Sequence, residues 1–121
     1  MSADAVVIAP SNPFLSIGPI LAIAQIREAI ERRGVRSVAV SPLIGGRSVT
    51  GPLDRMLSRM AGGTSPAHVA DRYKGLVDLL VIDHADAPAE AGVPVVVAET
   101  LMRDRDAERR LAAAVLDAAC A

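Results

Sequence analysis

Residues 5–41 read AVVIAPSNPFLSIGPILAIAQIREAIERRGVRSVAVS. Two short runs, AVVIA (5–9) and SVAVS (37–41), carry apolar residues at consecutive positions. That pattern suits parallel strands covered on both faces rather than strands with one wet side. Between them the period changes. IAQIREAIERRG (23–34) places Ile23, Ile26 and Ile30 on one helical face and Arg27, Glu28, Glu31 and Arg32 on the other, with Gly34 closing the element. Strand, helix, strand is the layout of a parallel unit with a right-handed crossover. The seven residues Pro10 to Ser16 are surplus to that need, because a plain strand-to-helix connection takes about two to six residues of no special chemistry.

Outward from this unit the alternation continues. LLVID (79–83) and PVVVA (94–98) read as two further buried strands. GPLDRMLSRMAGG (51–63) sets Leu53, Met56, Leu57 and Met60 at helical spacing, with Pro52 at a permitted first-turn position. SPAHVADRYKGLV (65–77) opens on Ser65 as an N-cap followed by Pro66, and DRDAERRLAAAVLDAAC (104–120) opens on acids and gains an apolar face at Leu111, Val115 and Leu116. The expected architecture is an α/β layered domain with a mainly parallel sheet, occupying residues 1–121 as a single domain. Four strands make a thin sheet, so the segment fits either a complete small domain or part of a larger one. ADAPAEAG (85–92) reads as an exposed connector.

Composition narrows the function classes. The chain has 121 residues, a formal net charge of −1 and only 2% aromatic residues, namely Phe14 and Tyr73. A near-neutral chain with no basic run lacks the footprint of a nucleic-acid or membrane-surface binder. The one cysteine, Cys120, cannot form an internal disulfide, and the N-terminus lacks the basic region and apolar stretch of a secretory signal. The expectation is a cytoplasmic protein.

In open α/β sheets ligands collect beyond the carboxyl ends of the strands, so the loops after each strand are the places to look. After the first comes APSNPFLSIGP: Ser11, Asn12 and Ser16 offer side-chain donors and Gly18 permits close backbone approach at a helix start, where an anion is welcome. Ser16 as a simple N-cap and SNP as a turn explain the same residues. After the second strand, Gly45, Gly46 and Arg47 form either a loop that folds over a phosphorylated ligand, with Arg47 as charge partner, or a mobile surface loop. Neither a P-loop nor a dinucleotide glycine spacing is present. After the third, Asp83, His84 and Asp86 form an acid–His–acid cluster of the kind that binds metal or moves protons, and equally of the kind that is merely solvated. After the fourth, Glu99 and Thr100 sit where a ligand can reach them, while Asp104 and Asp106 suit the first turn of the last helix. His68 falls within a helix as a surface or core residue, and Cys120 has no neighbouring base.

Four ordered blocks, APSNPFLSIGPILA, VAVSPLIGGRSVTGPLDRML, HVADRYKGLVDLLVIDHADA and VVVAETLMRD, resemble the C-terminal part of the 2-phospho-L-lactate transferase family. The resemblance covers nearly the whole chain. It implies a Rossmann-like three-layer αβα fold, of which this segment is the C-terminal portion. It also implies transfer of a phospholactyl or phosphoenolpyruvyl group from a guanosine diphosphate-linked donor to the ribityl hydroxyl of the deazaflavin Fo, in biosynthesis of coenzyme factor 420, with release of GMP. On that resemblance Ser11, Asn12, Ser16 and Gly18 hold the donor's phosphates, and Gly45, Gly46 and Arg47 cover the donor or its nucleotide portion. Family members are longer and carry, ahead of this segment, a glycine-rich strand and turn with acidic residues that handle Mg²⁺ and the deazaflavin. The Mg²⁺ ligands are therefore expected outside this chain, and the chain is expected to work as a fragment or split subunit. Its expected partners are a complementing N-terminal polypeptide or further copies of itself in a homo-oligomer. The SNP…SIGP block is also similar to a related family of sugar-nucleotide-binding regulators, which supplies the alternative function. Two local departures stand out: Ala98-Glu99-Thr100 where the family tends to Thr-Asp-Thr, and Ala24-Gln25 where many members have Pro-Gly.

Overall fold

The computed structural model describes residues 3–121. Four parallel strands form the main sheet: β1 (Val6–Ile8), β2 (Ser37–Val40), β5 (Leu79–Asp83) and β6 (Val95–Ala98), in the spatial order β1-β2-β5-β6. Each lies within one of the four apolar runs. Registers pair Val7 with Val38, Ala39 with Leu80, and Val81 with Val96. Because side chains alternate across a strand, this register sends Ile8, Ala39, Leu80 and Ile82 to one face and Val38, Val40, Leu79 and Val81 to the other.

The first face is covered by α1 (Gly18–Leu21), α3 (Leu53–Met60) and α4 (Pro66–Arg72), through Leu21, Leu53, Leu57 and Val69, together with Tyr73 and Leu76. The second face is covered by α5 (Arg105–Cys120) alone, through Leu111, Val115, Ala118 and Ala119. Three layers, helix on sheet on helix, follow directly, and the fold is α/β and Rossmann-like as expected. Burying such a side chain is worth about 1.5–3 kcal/mol relative to leaving it exposed, and Leu57, Leu80 and Ile82 have no accessible surface at all. At the end of the sheet away from the strand carboxyl ends, Arg33 grips Asp78 with Nη2 to Oδ1 at 2.9 Å and Nε to Oδ2 at 3.3 Å, while Asp78 also accepts the Ser37 N–H at 2.8 Å.

Several local expectations change. The surplus residues after β1 form one turn of π-helix, Pro13–Ile17, running into α1, and the chain then bends by 89° into α2 (Ala24–Glu31). That bend carries α2 off the sheet. Its Ile stripe, read as core-facing, is used only at Ile30: Ile23 is 50% and Ile26 37% exposed. Leu116 of α5 and Met60 of α3 are likewise exposed rather than packed. Ser65 does cap α4, with His68 as its capping-box partner: the His68 Nδ1 accepts the Ser65 N–H at 3.2 Å and lies 2.7 Å from Ser65 Oγ. Asp104 caps α5 through the Ala107 N–H at 2.8 Å. No single described helix is long and apolar enough to cross a membrane.

Between β2 and α3 lies a second, two-stranded antiparallel sheet, β3 (Leu43–Ile44) with β4 (Arg47–Ser48). Gly45 and Gly46 are its two-residue turn, with φ of +62° and +74°. Both central residues in the left-handed region make the turn that matches strand twist, and glycine takes that region without strain. The mobile-loop alternative for this segment thus gives way to a hairpin.

Candidate functional site

A cavity of about 430 Å³ opens where the loops after β1, β2 and β6 meet the hairpin. Its polar wall consists of Ser11, Asn12 and Ser16 from the first loop, Ser41 from the second, Ser48 and Thr50 from the hairpin and the turn after it, and Thr100 from the fourth. Ile44, Val49, Leu53, Leu101 and Met102 supply apolar surface. None of the lining residues is charged. The location, beyond the carboxyl ends of parallel strands, is the one where α/β sheets hold their ligands.

The first loop is built around Asn12. Its Oδ1 accepts the Phe14 N–H at 2.8 Å and the Leu15 N–H at 3.0 Å, and its backbone carbonyl accepts the Ser16 and Ile17 N–H groups at 2.9 and 3.0 Å. Asn12, not Ser16, is therefore the N-cap, and the four amides of residues 14–17 are satisfied inside the loop. An anion cradle made of free amides near Ser16 is thereby overturned. What the loop contributes to the cavity wall is Ser11, Asn12 and Ser16, and the Asn12 Nδ2 meets the Met56 sulfur, a weak acceptor, at 3.7 Å. Arg72 stacks on the Phe14 ring at 4.4 Å and ties the loop to α4.

Other hydroxyls are partly committed. Ser48 Oγ donates to the Gly51 carbonyl at 2.9 Å, and Thr100 Oγ1 donates to Asp83 at 3.1 Å. Ser41 Oγ accepts the Leu43 N–H at 3.3 Å and keeps its own hydrogen to donate. Ser11, Ser16, Ser41, Thr50 and the Asn12 amide thus form the set of neutral donors facing a guest.

Of the sequence-level candidates, Ser11, Asn12 and Ser16 come together on this cavity; Gly18, Gly45, Gly46 and Arg47 do not line it. Gly18 is in right-handed helical geometry, and a Cβ there would lie 2.9 Å from the Pro13 carbonyl oxygen. Its role is close packing of helix against loop. Arg47 lines a separate surface depression with Asp54, Arg55 and Arg59. Thr100 joins the wall, whereas its neighbour Glu99 pairs outward with Arg103 at 3.2 Å. Ser41, Ser48 and Thr50 went unread in the sequence. The Gly-Gly pair flanked by apolar Leu43-Ile44 was the available signal for a hairpin that brings Ser48 and Thr50 inward.

The acid–His–acid loop after β5 is spent on structure. Asp83 is buried, accepting the Thr100 N–H and the Ala85 N–H, each at 2.9 Å, besides the Thr100 hydroxyl. Burial alone would raise its carboxyl, but these donors outweigh it and hold the group below the usual carboxylate range. The His84 side chain is exposed, with Nε2 3.9 Å from Asp83 Oδ2. Among the described residues no group of three or more His, Cys, Asp or Glu side chains is placed to hold a metal ion. The described residues that line the cavity include no carboxylate, so they do not by themselves fit a Mg²⁺ site.

Residues 1–118 match the family model described as 2-phospho-L-lactate transferase CofD. The 2-phospho-L-lactate transferase of Methanocaldococcus jannaschii is 36% identical over 118 residues, which cover 96% of this chain and 37% of that protein. A 2-phospho-L-lactate transferase of Methanococcus maripaludis is 38% identical over 117 residues, 95% of this chain and 37% of the relative. The phosphoenolpyruvate transferase of Streptomyces griseus is 40% identical over 124 residues, 98% of this chain and 39% of the relative. The chain thus spans well under half the length of the curated relatives it matches.

Proposed function

The chain belongs to the 2-phospho-L-lactate transferase family, and on that premise we propose that it carries the donor-binding side of a transferase that moves a three-carbon phosphoacid unit. The donor is a guanosine diphosphate-linked phospholactate or phosphoenolpyruvate, the acceptor is the ribityl hydroxyl of Fo, and the product serves coenzyme factor 420 biosynthesis. In the transfer, the acceptor oxygen bonds to the phosphorus that bears the three-carbon acid. The bridging phosphorus–oxygen bond breaks, GMP leaves with that electron pair, and the acceptor hydroxyl gives up its proton.

One observation carries the reading: Ser11, Asn12 and Ser16, separated from Ser41, Thr50 and Thr100 in sequence, face a single cavity at the strand carboxyl ends. Phosphoryl transfer asks a protein mainly for positioning and for dipoles aimed at phosphate oxygens. Neutral hydroxyl and amide donors meet the first need and part of the second. They orient a diphosphate without neutralising it, so the charge compensation is assigned to a complementing polypeptide and the metal it brings. The chain by itself should bind the donor portion and turn over little.

The test is a stability panel. A ligand that binds only the folded state raises stability by about 2.7 kcal/mol at a hundredfold excess over its dissociation constant. GDP should raise the melting temperature, and UDP-sugars should not. A uridine preference would transfer the chain to the sugar-nucleotide-binding regulators, and no shift with any nucleotide would refute donor binding. Adding Fo, the GDP-linked donor and the complementing polypeptide should then release GMP; robust release by this chain alone would refute the division of labour.

A further inference from the structure

Two segments of the cavity wall are not held by their own elements. The hairpin β3–β4 supplies Ile44 and Ser48, and the turn after it Val49 and Thr50, yet its ladder is only two residue pairs long. A two-stranded ribbon of that size is not stable on its own. The other segment, Thr100 to Met102, follows β6 as irregular chain. Both are gripped from one place, the short loop after β5.

At its start, Asp83 closes the buried strand β5 and binds the Thr100 backbone and hydroxyl through Oδ1, at 2.9 and 3.1 Å. Three residues on, Asp86 reaches the tip of the hairpin. Its Oδ2 accepts the Gly45 N–H at 3.1 Å and its Oδ1 accepts the Gly46 N–H at 2.8 Å. The positive φ of both glycines turns the two N–H groups toward one acceptor. A carboxylate, with two oxygens that only accept, matches this pair of donors as no neutral side chain does. A single turn of 3-10 helix, His84–Asp86, separates the two grips, anchored by the Ala85 N–H on Asp83 Oδ2 at 2.9 Å.

We infer that residues 83–86 are a brace that sets the spacing of the cavity walls, and that Asp86 is a positioning residue for the ligand through the hairpin it pins. The ligand part of this inference rests on the donor-binding reading above; the mechanical part does not. Asp86 lines no part of the cavity, so its influence is exerted wholly through residues 44–50.

The experiment compares the unaltered chain with Asp86→Ala and Asp86→Asn by amide hydrogen exchange and by GDP titration. In Asp86→Ala, exchange at Gly45 and Gly46 should quicken by about tenfold or more, since two charge-assisted bonds that hold a local opening closed are gone. Ala39 and Val81, in the central strands, should keep their rates. GDP affinity should fall with the glycine protection, and Asp86→Asn, which keeps one acceptor oxygen, should lie between the two. Unchanged exchange at the glycines would overturn the brace. So would faster exchange with undiminished GDP affinity. If the unaltered chain takes up no GDP, the donor reading fails by itself. The brace is then decided by the exchange rates and by the Ile44 and Val49 methyl resonances: movement in Asp86→Ala upholds it, and fixed positions overturn it.

Discussion

Asn12 does two jobs with two ends of one side chain, and a pair of substitutions separates them. Its Oδ1 caps the π-turn by accepting two amides, at 2.8 and 3.0 Å, while its Nδ2 has a thioether as its weak acceptor and the residue lines the cavity. Asn12→Ala removes both. Loss of such a cap costs about 1 kcal/mol, in a range of roughly 0.5–2, which for a domain of this size lowers the melting temperature by about 3–6 °C. Asn12→Asp keeps an acceptor oxygen at the cap and adds a negative charge at a helix start, so stability should stay within about 0.5 kcal/mol of the unaltered chain. On the donor-binding proposal, the same substitution would set a carboxylate against a phosphate. Nucleotide affinity should therefore collapse in both variants, although only one of them is destabilised. Thermal melts followed by circular dichroism and GDP titration by calorimetry give the two readouts. Equal destabilisation of both variants would refute the capping role of Oδ1. GDP binding retained in Asn12→Asp would refute a phosphate beside Nδ2.

Other consequences follow from the packing and the buried acid. Gly18→Ala would press a methyl group against the Pro13 carbonyl and should cost about 1–3 kcal/mol, read as a lower denaturant midpoint; an unchanged midpoint would refute the close-packing role. Leu57→Ala, at a side chain with no exposed surface, should cost about 2–5 kcal/mol in the same assay, and a loss under 1 kcal/mol would count against the core described. The Asp83 carboxyl is held below its ordinary value of 3.8, so the folded state binds fewer protons there than the unfolded state. Its contribution is fully present above that ordinary value and is lost as pH falls through the lower folded value. Asp83→Asn should accordingly flatten the acid limb of the stability profile below about pH 4, leaving its shape at neutral pH unchanged; an acid limb identical to that of the unaltered chain would refute the role.

The four strands were legible as short apolar runs bounded by turn residues: the central Val38–Val40 and Leu79–Ile82 are buried throughout, and the edge strands keep the same apolar composition although Val7 and Val97 are about half exposed. Helix existence was legible for the same kind of reason, and helix orientation less so. The Ile23-Ile26-Ile30 stripe has the right period, but period says only that a face exists and not that the chain's path turns it inward; the 89° bend decides that. In the site, Ser11, Asn12 and Ser16 were readable because an over-long loop after a strand has to be explained. Which amides they leave free was not, since that depends on a cap four residues upstream of the expected one. The hairpin residues were hidden for a different reason. Two residues per strand are too few to show alternation, and their partner, Asp86, lies some forty positions away.

Strand β1 ends the sheet, with β2 on one side only, and its central residue Val7 is 46% exposed. On the face that α5 covers, an apolar groove is lined by Val7, Ala9, Val40, Leu111, Val115 and Leu116. Pro10 and Met102 line both this groove and the ligand cavity, so a group packed into the groove would bear on two residues of the cavity wall.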